Sequence, residues 1–145
     1  MKGEAMKTVH VGLNCEDPIR IERFYTKYLG FARARVIHPD GGEQIVFINN
    51  GSFMLELFKT KAPSPLPPPE KDGYGFPGYR HIAFQVDNVD DILAKMGSDA
   101  RISLGPFGFD DIIKGWRTVW IKDPEGNVVE ISQGYSDQED PPPLA

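Results

Sequence analysis

Cysteine is nearly absent: the chain of 145 residues holds one, Cys15. No internal disulfide can form. Cys15 also ends an apolar, strand-like run, where a thiol is a small buried hydrophobe rather than a nucleophile. Long apolar stretches are missing too. None approaches the roughly 20 residues a helix needs to cross a bilayer, and the N-terminus lacks the apolar segment of a secretory leader. Positive charge is in deficit, with 16 Lys and Arg against 21 Asp and Glu and a net charge of −5. An acidic surface does not suit a phosphate-rich partner, so nucleic acid is not expected. Together these absences lead to the expectation of a cytoplasmic protein with neither membrane nor nucleic acid as partner. The rest of the composition, 40% hydrophobic and 26% charged, is ordinary for a globular chain of one domain or two small packed modules.

Four metal-type side chains stand out: His10, Glu56, His81 and Glu130. Each lies in a short run of strand character: K-T-V-H-V-G-L-N-C, S-F-M-L-E-L-F, Y-R-H-I-A-F-Q-V and N-V-V-E-I-S. Alternate strand residues point to opposite faces. Val9, Val11 and Leu13 therefore share the face opposite His10. Leu55 and Leu57 lie opposite Glu56, Ile82 and Phe84 opposite His81, and Val129 and Ile131 opposite Glu130. A sheet with one apolar face under helices and one polar, concave face would gather all four. Two imidazoles and two carboxylates suit one divalent ion of the Ni, Zn, Co, Mn or Fe kind. The spacing also repeats: His10 and His81 are 71 residues apart, Glu56 and Glu130 74 apart. Each half supplies a His early and a Glu late, as an internal repeat would.

In chain order, residues 1–6 read as a frayed end, with Met6 an alternative start. Asp17-Pro18 is a helix cap followed by proline at the first helical position. Ile21, Phe24, Tyr25, Tyr28 and Leu29 then mark one helical face, and Gly30 stops the helix. Strands follow at 31–37 and 43–48, and Asn49-Asn50-Gly51 turns into the Glu56 strand. The stretch 60–78 holds Pro63, Pro65, Pro67, Pro68, Pro69 and Pro77 and reads as a connector. The order then recurs. A strand bears His81, Asp87-Asn88 cap a helix with Val89, Ile92, Leu93 and Met96 on one face, and a short strand covers 100–104. A loop over 105–115 carries Phe107 and Phe109, a strand runs over 116–122, and Asp123-Pro124-Glu125-Gly126 turns into the Glu130 strand. The expected fold is α+β: two tandem β-α-β-β-β modules over 7–59 and 79–134 forming a cupped mixed sheet, joined by the 60–78 linker and followed by a disordered acidic tail, 135–145.

Two such modules with F-Y-T-K-Y-L-G-F at 24–31, H-I-A-F-Q-V-D at 81–87 and D-P-E-G-N-V-V-E-I at 123–131 resemble the vicinal oxygen chelate superfamily. That superfamily includes glyoxalase I, extradiol dioxygenases and bleomycin- and fosfomycin-resistance proteins. The resemblance spans about Lys7 to Gln133 and implies that His10, Glu56, His81 and Glu130 are ligands of one divalent ion per site. The ligand set is most similar to that of bacterial glyoxalase I. It implies a metal-dependent lyase or isomerase that moves a proton on a vicinal-oxygen substrate through an enediolate-like intermediate, with Glu130 and Glu56 as bases. It also implies a homodimer. Two positions depart from glutathione-dependent members: Asn14 stands where they carry Arg, and Thr60 where they tend to carry Asn. Weak turnover with a glutathione hemithioacetal is therefore expected.

Asn14, Gln85, Thr118 and Trp120 fall on the ligand-bearing faces and are candidate substrate contacts. Trp116 shares the face of Thr118, as a wall of the site or as packing. Phe107 and Phe109 are either an apolar lid or loop packing, and His38 is a solvated turn residue. Two other functions fit the same scaffold. One is an Fe(II) extradiol-type dioxygenase using His10, His81 and Glu130, which Glu56 opposes by filling a position oxygen needs. The other is a metal-free drug-binding protein of the bleomycin-resistance type.

Overall fold

The computed structural model describes residues 5–145, so residues 1–4 of the expected frayed end lie outside the described residues. The chain divides into two compact units, the first ending at Pro68 and the second beginning at Pro69. Both are built in the same order from four strands and a helix, so the fold is α+β with two tandem β-α-β-β-β modules.

The first unit comprises β1 (Val11–Cys15), α1 (Pro18–Tyr28), β2 (Ala32–Ile37), β3 (Ile45–Asn49) and β4 (Met54–Lys59). The Asp17 carboxylate accepts from the Ile19 and Arg20 amides at 3.1 and 3.3 Å and so satisfies two of the free N–H groups at the start of α1. Gly30, at φ +72°, takes the left-handed conformation that turns the chain out of the helix. Ile21, Phe24, Tyr25 and Tyr28 form the buried face of α1, which packs on β4. The sheet order is β1-β4-β3-β2, parallel between β1 and β4 and antiparallel elsewhere. Its register sets Val11 and Ile48 beside Leu55, and Leu13 and Val46 beside Leu57. Leu55 and Leu57 are fully buried, worth about 1.5–3 kcal/mol each. The opposite face carries the row Gly12, Glu56, Phe47 and Arg35.

The second unit repeats this with β5 (Ile82–Gln85), α2 (Val89–Met96), β6 (Arg101–Gly108), β7 (Arg117–Lys122) and β8 (Val128–Gln133), in the sheet order β5-β8-β7-β6. Asn88 caps α2 through the Asp91 amide, and Gly97 ends it at φ +55° before one turn of 3-10 helix. Val119, Ile121, Val129 and Ile131 are fully buried or nearly so and make the core under α2. At the β7–β8 turn, Asp123 is completely buried. Its Oδ1 accepts from the Glu125 and Asn127 amides at 2.9 and 3.0 Å, and its Oδ2 from Asn127 Nδ2 at 2.8 Å.

Three expectations differ from these bounds. The strand expected over 100–104 continues to Gly108, through Pro106. Proline is tolerated there because β6 is an edge strand with ladder bonds to β7 alone, and the register shifts between Leu104 and Phe107 absorb the residue without an N–H. His10 and His81 stand just before β1 and β5 rather than inside them, because the parallel ladders begin at Val11↔Leu55 and Ile82↔Val129. The stretch 60–78 has no helix or strand, yet its last part folds against the second unit. Residues 135–145 carry no helix or strand and are exposed. Among the described residues no helix is long and apolar enough to cross a membrane.

Candidate functional site

Each unit places one His against one Glu. In the first, Gly12 lies opposite Glu56 in the parallel β1–β4 pair, and His10 is two residues before Gly12 on the same face. His10 Nε2 is 3.1 Å from Glu56 Oε1. In the second, Ala83 lies opposite Glu130 in the β5–β8 pair, and His81 is two residues before Ala83. His81 Nε2 is 2.9 Å from Glu130 Oε1. The duplication extends to a third residue. Across the antiparallel neighbour, Glu56 faces Phe47 and Glu130 faces Trp120. Each aromatic meets its His edge-on, at 5.6 Å and 84° for Phe47 and 6.1 Å and 70° for Trp120. Phe47 was not singled out from the sequence. The signal is its place in the hairpin before Glu56, matching that of Trp120 before Glu130.

The second pair is held more firmly. His81 Nδ1 lies 2.5 Å from the backbone carbonyl of Asp72. A carbonyl only accepts, so Nδ1 carries the proton, and Nε2 then meets Glu130 either as a lone pair or as a second N–H donor. The other Glu130 oxygen, Oε2, accepts from the Thr118 hydroxyl at 2.9 Å, a proton Thr118 shares with the Ile131 carbonyl at 3.1 Å. Thr118 was expected to touch substrate. It is 1% exposed, because its short side chain is enclosed between β7 and β8, and its contact is with Glu130. The Asp72 carboxylate binds Arg80 through Nε at 3.1 Å and Nη2 at 2.7 Å. Burial pushes the Asp72 carboxyl up, but the hydrogen bonds and charge of Arg80 outweigh it and hold the group below its ordinary value.

The donor set suits a divalent cation. A lone pair on Nε2 facing a carboxylate oxygen is a repulsive arrangement unless a proton or metal ion joins them. A ligating His typically donates its other N–H to a carbonyl, as His81 does. Among the described residues no three His, Cys, Asp or Glu side chains form one cluster; each unit presents one His–Glu pair.

The remaining candidates are distributed over these faces. Asn14 and Gln85 are exposed on the side of the sheet that bears the Glu of their unit. Trp120 is 9% exposed, and its indole Nε1 is buried with no partner among the described residues. Phe107 lies 6.3 Å from Trp120, so it adjoins the second pair. Phe109 packs on Trp116, whose Nε1 donates to Ser132 Oγ at 3.2 Å. Thr60 turns its amide and hydroxyl to the Cys15 carbonyl, and His38 pairs with Gln44 in an exposed turn.

Comparison with known proteins is consistent with this repeat. The family model of the Glyoxalase/Bleomycin resistance protein/Dioxygenase superfamily matches residues 7–131. A glyoxalase family protein from Enterococcus faecalis is similar in structure, at 25% identity and TM-score 0.65, over 87% of this chain and 96% of that one. Two further solved structures share the fold. The trypanothione-dependent glyoxalase I of Leishmania major has 22% identity and TM-score 0.66, over 90% of this chain and 88% of its own. The fosfomycin resistance protein FosX of Listeria monocytogenes has 14% identity and TM-score 0.65, over 91% and 96%. Comparison with curated proteins gives no match.

Proposed function

The chain belongs to the Glyoxalase/Bleomycin resistance protein/Dioxygenase superfamily, and we propose on that premise that it is a divalent-metal-dependent lyase or isomerase of the glyoxalase I type. It moves a proton on a small substrate with two neighbouring oxygens through an enediolate-like intermediate. The observation that carries the reading is the duplicated pair, a His Nε2 facing a Glu oxygen at 3.1 Å in one unit and 2.9 Å in the other. In this reading His10, Glu56, His81 and Glu130 hold one ion.

A bound ion supplies Lewis acidity to the two substrate oxygens and so acidifies the neighbouring C–H. Glu130 takes that proton. Thr118 anchors Oε2, and Oε1, which faces His81 at 2.9 Å, would leave that contact to return the proton to the adjoining carbon. Glu56 is the second base. Phe47 and Trp120 brace the two imidazole rings by edge contacts. Asn14 and Gln85 are substrate contacts. Thr60 is committed to the Cys15 carbonyl, and with Asn14 in place of an Arg this supports a thiol other than glutathione. A homodimer belongs to the same reading.

Thr118→Val keeps the volume and removes the hydroxyl. Metal affinity is expected to fall about 10–100-fold, read by competitive titration with a chromophoric chelator. Unchanged affinity in the folded variant would remove Thr118 from the site.

The reaction class is tested in D2O. Hemithioacetals of a 2-oxoaldehyde with a panel of thiols, supplied with metal, are expected to yield 2-hydroxyacyl thioesters carrying solvent deuterium at C2, with no oxygen uptake. Oxygen uptake with catechols under Fe(II) and no exchange would make the chain a dioxygenase instead. Tight drug binding without metal or turnover would place it among the binding proteins.

A further inference from the structure

Lys71 is the one non-glycine residue with positive φ among the described residues, at 52°. An L side chain resists that conformation, so the surroundings must impose it. Lys71 sits in the turn Glu70–Gly73, closed by the Gly73 amide donating to the Glu70 carbonyl at 2.8 Å. The turn is pinned at each following residue. Ser103 Oγ, from β6, donates to the Lys71 carbonyl at 2.6 Å. Arg80 binds the Asp72 carboxylate through two N–H groups. Gly73, at φ +89°, lies so close to the chain at Arg80 that a Cβ there would come within 2.0 Å of the Arg80 carbonyl oxygen. The turn meets the candidate site through the Asp72 carbonyl, which accepts from His81 Nδ1.

We propose that the Glu70–Gly73 turn is a positioning element for His81, fixing its ring as the Nδ1–H tautomer and aiming the Nε2 lone pair at Glu130. The metal role of His81, proposed above, is needed only for the consequence on affinity. Left without the carbonyl, a neutral imidazole is free to carry its proton on either nitrogen. A backbone carbonyl is a poor fixed point unless its own peptide is immobile, and here a strained residue, a salt bridge and a glycine contact immobilise it. His10 is an internal reference. It has no such carbonyl among the described residues, and its side chain is 37% exposed against 17% for His81.

Nitrogen-15 NMR of the imidazole rings in the full chain, stripped of metal and held at a pH where histidine is neutral, reads the tautomer directly. The wild type is expected to show His81 as Nδ1–H and His10 not held in that form. Gly73→Ala, which must push the turn away from Arg80, and Arg80→Gln, which frees the Asp72 carboxylate, are expected to move His81 toward Nε2–H. Both are expected to raise the dissociation constant for Zn²⁺ about 10–100-fold. Val89→Ala thins the core under α2 without touching the turn, and is expected to lower stability while leaving the His81 tautomer unchanged. If Gly73→Ala does not fold, Arg80→Gln carries the test alone. His81 as Nε2–H in the wild type, or a tautomer untouched in the folded variants, overturns the proposal. A tautomer that shifts as expected while neither protein binds Zn²⁺ upholds the positioning role and overturns the metal reading instead.

Discussion

Glu130→Gln is expected to lower turnover by about 10²–10⁴-fold, the usual worth of a general base, on whichever thiol adduct exchanges deuterium fastest. The reasoning starts from the two contacts of the carboxylate. Gln keeps the shape, and its amide oxygen can still accept from Thr118, which now donates to Glu130 Oε2 at 2.9 Å. Its amide nitrogen can donate to the His81 Nε2 lone pair, 2.9 Å from Glu130 Oε1. The metal-free variant should therefore be as stable as the wild type or slightly more so, because a donor replaces a facing acceptor. Activity falls for the opposite reason: the amide cannot take a proton and is a weaker ligand for a cation. Steady-state rates and thermal unfolding of the same preparations separate the two effects. Full activity in Glu130→Gln would remove the mechanism, whatever metal is bound.

Asp123→Ala is expected to cost about 2–4 kcal/mol of stability, measured from urea midpoints. The side chain is completely buried and accepts from the Glu125 amide, the Asn127 amide and Asn127 Nδ2. Alanine leaves three donors in a half-buried turn with no acceptor. Asp123→Asn retains an oxygen for the two amides and is expected to lose less. The effect reaches the site because this turn sets the β7–β8 register that puts Trp120 opposite Glu130. A loss below about 1 kcal/mol for Asp123→Ala would mean that water replaces the carboxylate there.

The features readable in the sequence were local ones. Asp17-Pro18 and Asn88 cap helices through their own neighbours, and Gly30 and Gly97 stop them. Strand parity was enough to set Leu55 and Leu57 on one side and Glu56 on the other, because a one-residue shift would bury the carboxylate. The D-P-E-G-N turn announced the hairpin before Glu130. What stayed hidden depends on contacts between distant residues. The stretch from 105 read as a loop, and the edge position of β6 is what makes a strand through Pro106 possible. Thr118 had the parity of a substrate contact, but parity says nothing of depth, and β7 and β8 enclose it. The carbonyl that holds His81 belongs to Asp72 in the proline-rich stretch read as a connector. A backbone carbonyl has no signature in residue type, and the Gly73 contact and the Asp72–Arg80 pair that fix it appear only in the structure.

The central claim is that the two His–Glu pairs hold one cation, and metal content tests it most directly. Protein purified without chelator, and again after loading and desalting, is analysed by plasma mass spectrometry beside His81→Ala. The proposed four-ligand reading predicts about one equivalent of a divalent transition ion per chain in the wild type and almost none in the variant. Equal and negligible metal in both, with the wild type folded, would contradict it and leave a metal-free binding protein of the same superfamily.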